Sequence, residues 1–468
     1  MERKVKNMEA IFFPRTVALV GASDNSKKLG FDVLNSLKNG EYKGKIFPIN
    51  PRKREIMGLK AYPSLRQTPE AIDLAVIVVP ASMVLEVIRE CVEVKVRGVV
   101  LISGGFKEIE NDLGAQLQSE IANLADGAGI PVIGPNTFGI LNRKIGLNAS
   151  FSLELSGVKG GNVGLLTQSG GMAHIITYLS MSSNLGLGKI MGLGNRCNID
   201  FPQAISYLME DADTKVIGVY LEGIDNPRLL IDVAKKHRGR KPIVIYKSGQ
   251  SKRSEKAALS HTGSLAGRHE IYVGGFCQAG MLWVDSTEEL IDTLKVLNFL
   301  PLPQDSTAVI VSGQGGPAIT SSDVCEKMGL TLAPFNPSTQ DMINGVLPPL
   351  TMRSNPLDLG PSWNNVESLK SILRIVLEDR YISAVLLIIV YGPANRHFIR
   401  ELSGLLMEWK TRKPVVSCFS YPSEKWAKDI EDLEDACALV NYPTPERAAR
   451  AISNLWKYQK IKMGVLSH

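Results

Sequence analysis

The segment SHTGSLAG, Ser260 to Gly267, sets one histidine among residues too small to pin it. A neutral imidazole is a competent nucleophile toward phosphorus, and its ordinary pKa keeps an unprotonated fraction available near neutrality. Gly263 and Gly267, with Ser260, Thr262, Ser264 and Ala266, leave little to block an approaching phosphate. His261 is therefore a candidate carrier of a phosphoryl group. A carboxylate suited to assist it closes the apolar run VYLEG at Glu222. At the carboxyl edge of a strand such an acid can accept a ring N–H, fix the tautomer and stabilise the charged, phosphorylated ring. A solvated or salt-bridged loop acid is the alternative reading of Glu222. His174 reads as core or interface, and neither His237 nor His269 has an evident partner.

Two further segments could hold the phosphate itself. VGLLTQSGGMA (Val163 to Ala173) and AVIVSGQGGPA (Ala308 to Ala318) both run from an apolar strand through a hydroxyl residue, a glutamine and two glycines into a helix. A strand turning straight into a helix presents free N–H groups and the positive end of the helix dipole at the turn. Gly170, Gly171, Gly315 and Gly316 would leave that end uncovered, Ser169 adds a hydroxyl, and Pro317 suits a first helical turn. A tight turn alone would account for one such pair. Two pairs in tandem argue for one anion gripped from both ends.

The turn GASDNSKKLG, Gly21 to Gly30, follows the first strand without completing a GxGxxG pattern. Gly21 would let backbone approach a pyrophosphate, Ser23 could donate a hydrogen bond, and Lys28 could supply charge. The second strand ends in Asn50-Pro51-Arg52-Lys53 in place of the acid that holds the ribose hydroxyls of NAD. Positive charge there suits a phosphorylated ribose, whether of NADP or of coenzyme A.

These turns need parallel strands to carry them. Five Val- and Ile-rich runs within Thr16–Ser23, Lys45–Pro51, Leu74–Pro80, Gly98–Gly105 and Pro131–Asn136 end in turn-forming residues, with Pro80 and Asn136 closing the third and fifth. Helix-length amphipathic stretches separate them, as in an α/β fold with a parallel sheet. Beyond Leu155 three strand patterns recur in order: the two glycine-pair segments, then VIGVYLEG and AVLLIIVYG, then KPIVIYKSG and KPVVSCFS. The expected architecture is a Rossmann-like domain over residues 1–150, a flavodoxin-like domain over 151–300 carrying the histidine loop, and a second flavodoxin-like domain over 301–468, joined near Pro301–Gln304. Asp200 and Asp358 read as turn and helix-start residues within that repeat.

Composition narrows the remaining classes. With 468 residues, 44% of them apolar, the chain can bury several cores, and with 21% charged it does not read as disordered. No apolar run approaches the length of a membrane span, and the amino terminus lacks the pattern of a signal peptide, so a cytoplasmic protein is expected. Six scattered cysteines show neither CxxC nor Cys/His ligand spacing, which argues against a structural metal or a disulfide framework. The net charge of +6 favours anionic ligands, but no basic helix or aromatic-interleaved stripe points to nucleic acid.

Taken together the motifs resemble the α subunit of the NDP-forming acyl-CoA synthetases, also called ADP-forming acetyl-CoA synthetases, relatives of succinyl-CoA synthetase. VGASDNSKKLG and GPNTFGI (Gly134 to Ile140) are similar to that family's CoA-binding turns, TQSGG and SGQGG to its phosphate-gripping helix starts, SHTGSLAG to its phosphohistidine loop, and NPLDLG adds weight in the last module. The resemblance implies CoA contacts at Gly21, Ser23, Lys28, Asn50, Pro51, Pro80 and Asn136, phosphate contacts at Ser169 to Gly171 and Gly315 to Gly316, and catalysis by His261 and Glu222. Thr137 stands where the family commonly has cysteine. The family binds ADP or ATP on an ATP-grasp module, for which this chain leaves no room. A separate β subunit carrying the nucleotide with its magnesium is implied, and with it a hetero-oligomer. The expected reaction interconverts acyl-CoA, phosphate and ADP with free acid, CoA and ATP. The rival readings are a noncatalytic CoA or nucleotide sensor and an NADP-linked oxidoreductase.

Overall fold

Aliphatic and β-branched runs become buried parallel strands in the computed structural model, which describes residues 2–109, 112–251, 253–254, 269–349, 351–422 and 424–465. The first sheet contains β1 (Thr16–Val20), β2 (Lys45–Ile49), β3 (Leu74–Ile77), β4 (Gly98–Leu101) and β5 (Val132–Ile133) in the order β2-β1-β3-β4-β5, all parallel. Every residue of β1, β3 and β4 is buried, as expected of strands covered on both faces. Helix α1 (Leu29–Asn39) seals one face with Val33, Leu34 and Leu37, each fully buried. Burial of side chains of this size stabilises by about 1.5–3 kcal/mol apiece.

The second sheet has seven strands: β6 (Gly139–Asn142), β7 (Leu147–Ser150), β8 (Val163–Thr167), β9 (Leu187–Gly192), β10 (Val216–Leu221), β11 (Ile243–Lys247) and β12 (Leu282–Trp283). Their order is β12-β11-β10-β8-β9-β6-β7, parallel except for the hairpin β6-β7, which joins β9 antiparallel. Residues 139–150, counted with the first module in the sequence reading, thus pair with the second sheet. The fully buried Asn142 side chain pins the hairpin by donating to the Phe12 carbonyl at 2.8 Å. Ile140, Leu147 and Ala149 of the hairpin share one continuous core with Leu19 and Leu37 of the first module and Leu166 and Met191 of the second. The chain accordingly forms two compact units, Met1–Thr287 with two sheets and Glu288–His468 with one.

In the second unit β13 (Ala308–Ser312), β14 (Leu357–Asp358), β15 (Ala384–Val390), β16 (Val415–Ser420) and β17 (Val440–Asn441) form a parallel sheet in the order β14-β13-β15-β16-β17. The helix Thr287–Phe299, which the sequence reading placed with the second module, packs into this unit almost entirely. Asp292 receives Arg447 through two bonds of 2.8 and 2.7 Å, and Lys295 pairs with Glu434 at 2.6 Å, both of the latter nearly buried. Charges taken out of water need such partners, so this helix is tied to the unit that supplies them.

The repeat has a physical basis beyond its strands. Helix α2 (Gly170–Ser182) follows β8, α3 (Phe201–Glu210) follows β9, α4 (Gly315–Lys327) follows β13 and α5 (Val366–Glu378) follows β14. The lysine of each Lys-Pro pair closes the end of an earlier helix, α3 in the first repeat and α5 in the second: Lys241 donates to the carbonyls of Leu208 and Asp211 at 2.8 and 2.6 Å, Lys413 to those of Val376 and Asp379 at 3.4 and 2.6 Å. A cation among the last carbonyls satisfies acceptors that a helix end leaves open. The hydroxyl ending each leading strand bridges the turn as well, Thr167 to the Ser169 carbonyl at 2.5 Å and Ser312 to the Gln314 carbonyl at 2.6 Å. Asp200 caps α3, its carboxylate accepting from Phe201 N–H at 2.7 Å, and Asp358 accepts from Gly360 N–H at 2.9 Å.

Lys241→Met and Lys413→Met should each lower unfolding free energy by about 1–2 kcal/mol, read from urea midpoints. The two losses should add in the double variant, because the lysines lie in different units and share no partner. An unchanged midpoint in both single variants would remove the closing role.

Candidate functional site

Parallel strands deliver their carboxyl ends to one edge, and the candidate CoA residues of the first sheet gather there. Gly21 follows β1 with φ of +95°, and the first turn of α1 comes so close that a Cβ on Gly30 would stand 2.0 Å from the Gly21 carbonyl oxygen. Asn50 ties the ends of β1 and β2 together, donating to the Ala22 carbonyl and accepting from Arg52 N–H, both at 2.9 Å. Ser23 is buried and accepts from Asn25 N–H at 3.1 Å. Lys28, Pro51 and Pro80 are exposed, Lys28 immediately before α1 and Pro80 before the helix Ala81–Glu93. Lys53 pairs with Asp24 at 3.0 Å across the same turns and holds that carboxyl below its usual range.

Residues 134–139 carry the chain from β5 to β6. They are laced to the loop after β9, with Asn195 N–H donating to the Pro135 carbonyl and Cys197 N–H to the Gly134 carbonyl, both at 2.9 Å. Gly194, at φ +53°, lies so close that a Cβ would meet the Pro135 oxygen at 2.2 Å. Thr137 donates to the Gly192 carbonyl at 2.6 Å, so its hydroxyl is engaged within the fold. Asn136 takes a left-handed conformation, φ +57°, and its side chain reaches Asn195 at 3.3 Å. Asn195 in turn donates to Gln118 at 3.1 Å and to Glu108, whose carboxylate also accepts from the N–H groups of Gly105 and Phe106.

Behind this crossing opens a cleft of about 380 Å³, lined by Asn136, Thr137 and Phe138 on one side and by Gln168 to Gly171, Asn195 and Glu222 on the other, with Leu29, Ile102 and Phe151 completing its apolar part. The structure thus brings together Asn136, Ser169, Gly170, Gly171 and Glu222. The other CoA candidates share the sheet edge but do not line the cleft.

Ser169 caps α2, its hydroxyl accepting from Met172 N–H at 3.4 Å. The geometry of a first helical turn leaves the N–H groups of Gly170 and Gly171 pointing out of the helix. Neither glycine has a positive φ, and a Cβ on either would make only ordinary contacts, 3.5 Å to Phe138 and 3.9 Å to Ser169. The turn itself therefore does not require them. Glu222 is held by its backbone: the Gln168 side-chain oxygen accepts from the N–H groups of Glu222 and Gly223, both at 3.0 Å. Tyr220, its phenol pushed up to about 12 chiefly by burial, interacts with Glu222 and Ser248. Gln168 and Asn195 carry no chemistry of their own in the sequence. The glutamine recurring before each glycine pair was the one available signal.

That recurrence is not a register match. Gln168 directly follows the bridging hydroxyl of its repeat, whereas Gln314 stands two residues after Ser312 and precedes α4 where Ser169 precedes α2. No partner meets the Gln314 side-chain oxygen among the described residues. A Cβ on Gly316 would meet nothing within 4 Å, and one on Gly315 would meet the Asp358 carboxylate at 3.1 Å. His261 and its neighbours from Ser260 to Gly267 lie outside the described residues. Among the described residues no three His, Cys, Asp or Glu side chains converge as a metal site, and no helix is long and apolar enough to cross a membrane.

Three domain families match the chain: a CoA binding domain over residues 15–143, a succinyl-CoA ligase like flavodoxin domain over 160–297 and a ligase-CoA domain over 308–420. The ADP-forming acetate–CoA ligase II subunit alpha of Pyrococcus furiosus is 34% identical, the match covering 95% of this chain and 96% of that subunit. The ADP-forming acetate–CoA ligase I of Archaeoglobus fulgidus is 36% identical over 97% of this chain, which spans only 64% of that longer relative. The solved acetyl-coenzyme A synthetase 1 of Candidatus Korarchaeum cryptofilum, in complex with phosphate and ADP, superimposes with a TM-score of 0.90 at 32% identity, covering 98% of both chains. The chain belongs to the NDP-forming acyl-CoA synthetases of the succinyl-CoA synthetase-like family.

Gln168→Leu keeps the bulk but leaves two N–H groups beside Glu222 without their acceptor. It should cost about 2 kcal/mol in urea unfolding while CoA affinity, measured calorimetrically, changes less than twofold. An unaltered unfolding midpoint would show that these two bonds do not hold Glu222.

Proposed function

We propose that this chain is the α component of an ADP-forming acyl-CoA synthetase that interconverts acyl-CoA, phosphate and ADP with free acid, CoA and ATP. The observation that carries the reading is the cleft. It sets a CoA-edge residue, Asn136, beside two glycines that the backbone does not need at a helix start, and beside the carboxylate of Glu222. Gly21, Ser23, Lys28, Asn50, Pro51, Pro80 and Asn136 bind CoA in this proposal, the carboxyl edge of the first sheet supporting them. Ser169, Gly170 and Gly171 bind phosphate. Gly315 and Gly316 are assigned the same ligand because their strand, turn and helix repeat the arrangement.

In the thioester-consuming direction a phosphate oxygen attacks the thioester carbonyl. The C–S bond breaks, CoA leaves as its thiol after taking a proton, and an acyl phosphate remains. A ring nitrogen of His261 then attacks phosphorus and the carboxylate departs. Glu222 accepts the remaining ring N–H and steadies the charged phosphohistidine. The terminal oxygen of ADP attacks that phosphorus, giving ATP and returning the free imidazole. Helix dipoles and bare N–H groups suit this chemistry, because phosphoryl transfer depends on positioning and charge stabilisation. The ADP site and its magnesium are assigned to an ATP-grasp β subunit, since the Pyrococcus relative is itself named as a subunit and nucleotide phosphates usually supply much of that ion's shell. A hetero-oligomer in the cytoplasm, where ADP and CoA are available, follows from the same reading.

Incubation with an ATP-grasp partner, ATP and magnesium should place an acid-labile, base-stable phosphoryl label on His261. His261→Ala should lose the label and keep CoA affinity within twofold, and normal acyl-CoA turnover by that variant would sink the mechanism. Glu222→Gln should lower the steady-state label roughly tenfold, in line with losses when an imidazole's orienting partner is removed.

A further inference from the structure

The geometry points to Phe151 as the residue that sets the size of the acyl group, with Phe138 beside it and His174 holding both in place. This rests on the proposed acyl transfer and adds the part of the substrate that CoA and phosphate leave undefined.

If phosphate sits at the start of α2 and attacks a thioester carbonyl, the acyl chain must occupy the part of the cleft next to that helix. The side chains there are apolar. Phe138 is almost fully buried, with its Cβ near Gly170, whereas Phe151 is only partly buried, in the turn after β7. His174, one turn into α2, fixes the pair. Its Nδ1–H donates to the Gly170 carbonyl at 2.7 Å, and its Nε2 meets the Ser152 hydroxyl at 2.6 Å. A carbonyl can only accept, so in the neutral ring Nδ1 carries the proton and Nε2 accepts from serine. The imidazole lies against Phe151 at 5.9 Å between centroids and 23° between planes, and edge-on to Phe138 at 5.8 Å. The wall of the acyl compartment is thus tied to the helix proposed to bind phosphate.

Calorimetric titration of the full chain with CoA, acetyl-CoA and phenylacetyl-CoA tests the assignment without requiring turnover. Phe151→Ala should raise affinity for phenylacetyl-CoA about tenfold relative to acetyl-CoA, the scale of hydrophobic-pocket discrimination, while CoA itself binds within twofold of wild type. Phe151→Trp should shift the same ratio the other way, and Phe151→Leu, a milder change at a partly buried site, should give an intermediate ratio. A ratio unmoved in all three variants, with CoA still bound, overturns the wall alone. Failure of wild type to bind CoA overturns the proposed function and the wall with it.

Discussion

The six residues from Gly134 to Gly139 constrain everything in the first unit. They leave one parallel sheet and enter the next within about two turns of chain, and the loop after β9 is laced across them. The approach is too close for side chains at several points: a Cβ on Gly134 would meet the Leu101 oxygen at 2.3 Å, and one on Gly139 the Ala149 oxygen at 2.1 Å. Both glycines also hold positive φ, which other residues adopt at a cost. Because the crossing is this tight, the carboxyl edge of the first sheet and the helix start on the second are forced to share one cleft. A looser connection of the same sheets would leave the proposed CoA edge and the proposed phosphate turn as separate surfaces.

Within that cleft the site residues are placed largely by hydrogen bonds to uncharged amide side chains. Glu222 is placed by an uncharged glutamine that takes its backbone N–H and the next one, and the left-handed Asn136 is placed by Asn195, itself buttressed by Glu108 and Gln118. Neutral hydrogen bonds of this kind fix position without adding a counter-charge that would compete for an incoming anion. Lys53, beyond the end of the second strand, is already paired with Asp24.

Much of this was legible in the sequence. Strands buried on both faces are largely apolar along their length, and most of the longer parallel strands could be read as Val- or Ile-rich runs; β9, LGKIMG, was not, because its lysine and glycines break the pattern. The repeat was legible because its landmarks answer recurring needs: a hydroxyl to bridge the turn, glycines at the helix start and a lysine to close a helix end. The hairpin at residues 139–150 was not, since GILN and LNAS are too short to show alternation and their sheet is chosen by the antiparallel pairing of Ile140 to Asn142 with β9. The helix Thr287–Phe299 looked like the end of one module because its sequence neighbours are there, while its partners Arg447 and Glu434 lie far along the chain. The acyl wall had the least signature, as Phe138, Phe151 and His174 come from three segments and meet only through folding.

In the proposed assignment phosphate binding and acyl selection share one element, and the position of His174 gives a physical reason for it. An acyl phosphate is a single small molecule whose phosphoryl end and carbon chain must be held at a fixed separation, so a site built on independent loops would have to maintain that distance by chance. Here the ring that braces Phe151 bonds the carbonyl of Gly170, the first residue of the helix assigned to phosphate, and any shift of that helix start carries the wall with it. Precision of a few tenths of an ångström at the reacting carbonyl is what positioning catalysis demands, and a hydrogen bond of 2.7 Å between the two ends of the compartment is a short path by which to supply it.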